Sequence, residues 1–151
     1  MNKRKDIMKR FFCVILCIEV LFSMSACNVY LKKSGDVKNV RVKKWEASKI
    51  YSDNEINLAI KAAEDYFEEE FYGCTLTDIT YVGDNESLYE TSYRKNNGFD
   101  YDEMIVLMSS FNTDSFGGDG SLEPDSTYNG WNWIMGRKYG GEWEHVDHGY
   151  G

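Results

Sequence analysis

The chain has 151 residues, which allows one domain once the N-terminus is set aside. Its formal net charge of −8 argues against nucleic acid as a partner, because a phosphate backbone is met with Lys and Arg. Two histidines in the whole chain leave little acid–base capacity near neutral pH, and neither a Walker lysine in a glycine loop nor a helical HExxH is present.

Residues 1–22 have the layout of a secretory signal. Lys3, Arg4, Lys5, Lys9 and Arg10 form a basic region, and residues 11–22 an apolar run shorter than the about 20 residues a bilayer needs. Glu19 is an odd and costly placement inside that run. Ser23-Met24-Ser25-Ala26-Cys27 follows and resembles the lipobox of bacterial lipoproteins, in which a peptidase cuts before a cysteine that carries diacylglycerol. Ser25, Ala26 and Cys27 match that pattern, while Met24 stands where leucine is usual. The resemblance implies a signal peptide over 1–26, lipidation of Cys27, and a protein anchored on the extracytoplasmic face of the cell membrane. A plain secreted protein and an uncleaved signal anchor are the alternatives. With Cys13 and Cys17 removed and Cys27 acylated, Cys74 is alone, no internal disulfide is expected, and the domain must rest on its hydrophobic core. Cys74 itself reads as a small buried residue rather than a nucleophile.

Charge divides sharply along the chain. Residues 28–51 carry seven Lys/Arg against two acids, a net of +5, whereas residues 52–151 carry five against 21, a net of −16. A basic tether over 27–44 favours an anionic membrane surface at roughly 1 kcal/mol per close cation. The acidic domain over 45–151 is repelled by the same surface and faces cationic or neutral partners.

In chain order, 28–36 reads as flexible and 37–45 as a short edge strand with cationic protection. Residues 52–72 then form an amphipathic helix. Ser52 and Glu55 fit a capping box, Ile56, Ala59, Ile60, Ala63, Tyr66, Phe67 and Phe71 share one face, and Gly73 supplies a left-handed stop. Glu70 lies within the apolar stripe; it either bends into water at the helix end or points into a pocket, held by a cation from the sheet. Residues 74–82 are β-like and turn at Gly83-Asp84-Asn85; 86–95 suits a short second helix, although its Tyr and Thr also suit a strand. Residues 104–111 are the most apolar run and read as a central strand. A long loop over 112–130 leads to a hairpin of 131–138 and 142–150 around Tyr139-Gly140-Gly141, in a register that pairs Arg137 with Glu144, Met135 with Val146, Trp133 with His148 and Trp131 with Tyr150.

These motifs, with Gly73-Cys74-Thr75-Leu76, Ile105-Val106-Leu107 through Phe111, Gly117-Gly118-Asp119-Gly120-Ser121-Leu122, Trp131-x-Trp133-Ile134 and His145-Val146-Asp147-His148-Gly149-Tyr150, resemble a recurring type of small bacterial lipoprotein of unknown activity. The resemblance implies an α+β fold of the cystatin or nuclear-transport-factor-2 kind, a long N-terminal helix packed on a curved antiparallel sheet. It implies no catalytic residues.

Three groups of residues could carry chemistry. Trp131, Trp133, Arg137, Glu144, His148 and Tyr150 on the hairpin, with Glu70 above them, describe a pocket of aromatic walls and convergent polar groups; the plain alternative is core tryptophans with a polar rim. His145, Asp147 and His148 begin a metal site, but strand alternation puts His148 on the opposite face from the other two. Asp114, Asp119, Glu123 and Asp125 offer oxygen ligands to calcium in a glycine-rich loop, though without EF-hand spacing, and such loops are commonly solvated turns. The function expected from these features is a membrane-anchored, non-catalytic binding module for a small ligand or a cell-surface protein, with no obligatory cofactor. The alternatives are a small-molecule enzyme using a pocket between helix 52–72 and the hairpin, with Glu70 as base and Arg137, His148 or Tyr150 as partners, and a structural or inhibitory module whose exposed sheet meets another protein.

Overall fold

The computed structural model describes residues 34–150. The expected signal sequence over 1–26, the expected lipidation site Cys27 and residues 28–33 of the expected tether lie outside them. The described residues form an α+β fold with two helices, α1 (Asp53–Glu70) and α2 (Asp84–Asn96). The strands are β1 (Arg41–Val42), β2 (Cys74–Tyr81), β3 (Glu103–Thr113), β4 (Thr127–Arg137) and β5 (Glu144–Gly149). They make one open sheet in sequence order, mixed because β1 runs parallel to β2 while every other pair is antiparallel.

α1 begins as its capping signal predicts. The Glu55 amide donates to Ser52 Oγ at 3.3 Å and the Ser52 amide to Glu55 Oε2 at 2.8 Å, so two otherwise orphaned donors are satisfied. Ile56, Ala59, Ile60, Ala63 and Phe67 are buried against Ile79, Ile105, Leu107, Phe111, Trp133 and Met135 of the sheet. Apolar spacing at three and four residues on the helix thus meets alternate residues of the strands. A turn closes the helix: the Cys74 amide donates to the Phe71 carbonyl at 3.1 Å across Gly73, whose φ of 69° suits glycine.

α2 settles the ambiguity of 86–95 in favour of helix. It starts at Asp84, so Gly83 precedes the helix and Asp84 and Asn85 form its first turn rather than a separate bend. β2 ends before β3 does, and α2 lies where the next strand would be. There the Val106 and Met104 amides donate to Ser87 Oγ and Thr91 Oγ1, both at 3.1 Å, and Tyr51 Oη donates to the Met104 carbonyl at 3.0 Å. Met104, Val106 and Ile134 form a smaller apolar cluster on the sheet face away from α1.

Part of the segment read as tether belongs to the domain. The Asp36 amide donates to the Cys74 carbonyl, the Leu76 amide to the Asp36 carbonyl and the Gly35 amide to the Glu68 carbonyl. β1 then continues along the edge of β2, where Lys43 and Arg41 flank the buried Asp78 at 2.5 and 3.6 Å. Two of the cations counted as membrane-facing therefore neutralise a carboxylate of the sheet.

The β4–β5 register is half as predicted. Trp133 pairs with His148, but nearer the turn Met135 pairs with His145 and Gly136 with Glu144. Val146 is the extra residue of a bulge, which the sequence reading omitted. The bulge turns His145 onto the α1 face, beside His148, and leaves Asp147 on the other, reversing the expected distribution.

Candidate functional site

The C-terminal end of α1, the first half of β4 and the loop 114–126 enclose an open cavity of about 260 Å³. Phe71 and Tyr66 come from the amphipathic stripe of α1, whose last turn overhangs the sheet. Trp131 and His148 come from β4 and β5 beneath it. The loop forms the remaining wall. Its Asp114 carboxylate accepts the amides of Phe116 at 2.9 Å and Gly118 at 3.1 Å, and the Asp114 amide donates to the Gly73 carbonyl. A Cβ on Gly118 would lie 2.8 Å from the Tyr72 carbonyl oxygen, so only glycine lets the loop close on the α1–β2 turn.

Ring geometry defines the walls. Trp131 and His148 stack at 5.7 Å and 29°, while Phe71 stands at 83° to Trp131 and 69° to His148. Tyr66 stacks on His145 at 3.6 Å. His145 Nε2 and His148 Nδ1 are 2.8 Å apart, a distance at which one ring donates and the other accepts. Burial, with the neighbouring His148 adding to it, pushes His145 down to about 4, and burial lowers His148 as well. Both rings are therefore neutral at pH 7. Burial, reinforced by Asp114 and Asp119, pushes the Cys74 thiol up to about 11, so it stays protonated, as expected of a buried structural cysteine.

Of the hairpin residues expected to form a pocket, the structure brings together Trp131, His148 and Glu70. Glu70 is exposed at the rim, with no ion pair to the sheet. Tyr150 adjoins them, its ring 5.3 Å from Trp131 and 63% exposed. Trp133 lies below in the core, fully buried, its Nε1 donating to Ser109 Oγ at 2.9 Å. Arg137 and Glu144 are elsewhere. Arg137 Nε and Nη2 donate to Glu103 and Glu55, each at 2.6 Å, and its guanidinium sits 4.3 Å over Trp143. Glu55 and Glu70 are separated by roughly 22 Å of helix at 1.5 Å per residue, so Arg137 cannot serve Glu70. Glu144 sits across from Gly136 and is exposed, its charge acting on Tyr101 on the other face.

The acidic loop does not converge on a point. Among the described residues no three His, Cys, Asp or Glu side chains are grouped as a metal ion requires. Asp114 holds loop amides and Asp119 Oδ1 accepts the Ser121 amide at 3.0 Å, while Glu123 and Asp125 enter the structure through their backbones. The four acids thus build the loop's turns. The sequence reading missed Tyr72, Ser121 and Leu122 as cavity wall. Leu122, an apolar residue in an otherwise polar loop, was the available signal. Trp133 and Trp143 are covered, whereas Trp131 is partly exposed.

Among the described residues no helix is long and apolar enough to cross a membrane. Compared with protein families, curated proteins and solved structures, the chain gives no significant match.

Proposed function

We propose that this protein is a lipid-anchored, extracytoplasmic binding module that takes a small ligand in the cavity under the end of α1 and performs no chemistry on it. The observation that carries this reading is the cavity itself: an open space of about 260 Å³ where Tyr66, Phe71, Trp131 and His148 meet Glu70, Asp119 and Ser121. Ligand sites combine apolar walls with a few polar groups that fix orientation, and this cavity has that composition. The placement of α1 on one face of the sheet also supports a cystatin-like or nuclear-transport-factor-2-like roll. The lipobox supports an anchor at Cys27.

An enzyme at the same place is less well supported. Among the described residues no cation pairs with Glu70, Arg137 lies at the other end of the helix, and the Cys74 thiol is held neutral. A thermal-shift screen of the full-length protein in detergent against metabolites tests the binding reading. The expected result is a rise in melting temperature with at least one compound, lost in Trp131→Ala. Stabilisation that persists in Trp131→Ala would place the site elsewhere.

A further inference from the structure

The groups around the cavity are all of one electrostatic kind. Among the described residues neither Lys nor Arg lines it, whereas Glu70 and Asp119 do. α1 ends against it with Glu68, Glu69 and Glu70 in succession and no basic residue in the last turn. A helix C-terminus is the negative end of the macrodipole, where a cation is the favourable neighbour, so these glutamates add to a field that no Lys or Arg among the described residues neutralises. The two histidines supply no positive charge at pH 7, because burial keeps them neutral. The same field reaches the wall: Glu70 adds to burial in raising the Tyr66 phenol, as Asp114 and Asp119 do for Cys74.

The walls themselves are ring faces. Phe71 meets Trp131 at 83°, making a corner of two π systems, and His148 extends the Trp131 side. Ring faces carry the negative part of the aromatic quadrupole and attract ammonium groups, most strongly where water is partly excluded. An anion entering here would meet Glu70 and Asp119 and, among the described residues, no Lys or Arg. A bare metal ion would find no three ligands grouped among the described residues. An organic cation meets both of its requirements, a π corner for its alkyl-ammonium surface and a carboxylate at the rim.

We propose that the cavity is a site for a small organic ammonium ion, seated in the corner of Phe71 and Trp131 with Glu70 as its counter-charge. This rests on the cavity being a ligand site at all, and the experiment separates the two. Full-length protein in a maltoside micelle, which offers no choline head group, is titrated with choline by isothermal titration calorimetry. A parallel titration uses the neutral tert-butyl isostere of choline, in which carbon replaces the ammonium nitrogen. The expected result is saturable choline binding about tenfold tighter than that of the isostere. It should be weakened roughly threefold in Glu70→Gln, whose side chain is exposed and whose fold is undisturbed, and lost in Trp131→Ala. Equal affinity for the two probes, or choline binding indifferent to Glu70→Gln, overturns the ammonium assignment. If the isostere binds, choline does not, and Trp131→Ala abolishes the signal, the cavity is an apolar binding site and only the ammonium assignment falls. If neither probe nor any compound of the thermal-shift screen acts through Trp131, both readings fall.

Discussion

Arg137 is the residue on which most of the domain's internal charge turns. It is 7% exposed, carries Glu55 and Glu103, and lies against Trp143, so it joins the start of α1 to the start of β3 and the end of β4. Arg137, with Ser52 assisting, holds the Glu55 carboxyl down to about 2. A carboxyl depressed in the folded state stabilises above its unfolded value near 4.5, and that stability is lost as pH falls towards 2. With the Glu55 side chain 31% exposed, solvent screening leaves about 1–2 kcal/mol of it. Urea midpoints of Glu55→Gln should therefore fall less steeply between those values than those of the native protein, Asp84 and Asp147 supplying part of what remains. Arg137→Ala should cost roughly 2–4 kcal/mol, because two carboxylates lose their partner together. The histidine pair acts in the window above. His145, lowered from 6.5 to about 4, is protonated in the unfolded chain first, so stability falls as pH drops across that range. NMR titration of the ring protons checks this; a His145 that protonates near 6.5 in the folded protein refutes it.

At the scale of elements, α2 owes its position to hydroxyl groups rather than to its apolar face. It buries only Ser87, and its Leu88, Tyr89 and Tyr93 are exposed. Ser87→Ala should leave the buried Val106 amide without an acceptor and cost about 1–3 kcal/mol by urea denaturation, far more than a surface Ser→Ala change. α1 is the opposite case, since its stripe fills the core. Phe67→Ala, at a fully buried ring packed on Phe71, Phe111 and Trp133, should cost roughly 3–5 kcal/mol in the same assay. The bulge at Val146 is the element-scale feature with the widest consequence. One extra residue turns His145 towards Tyr66 and makes the ring stack beneath α1.

For the whole molecule, the charge division read from the chain is only partly a division between tether and domain. Arg41 and Lys43 belong to the sheet edge and serve Asp78. Membrane attachment is thus expected to depend on lipid at Cys27 more than on the basic segment. Cys27→Ser should move the protein from the membrane to the soluble fraction, measured by fractionation, and raised salt alone should not. The strongly acidic remainder, with a net of −16 on residues 52–151, favours cationic over anionic partners at any surface site.

Taken alone, the sequence determined what local physics decides. A capping box, an apolar stripe at helical spacing and an unbroken apolar run suffice to place α1 and β3, because each rests on contacts within a few residues or on a face that must be buried. The tertiary structure decided what depends on partners distant in the chain. Whether Arg137 meets Glu70 or Glu55 turns on which end of α1 lies over the end of β4. Whether His145 faces His148 turns on one bulged residue, and the glycine-rich loop becomes cavity wall with the Asp114 and Asp119 carboxylates turned to its own amides. Each is a choice between alternatives of equal local propensity, made by the packing of α1 on the sheet.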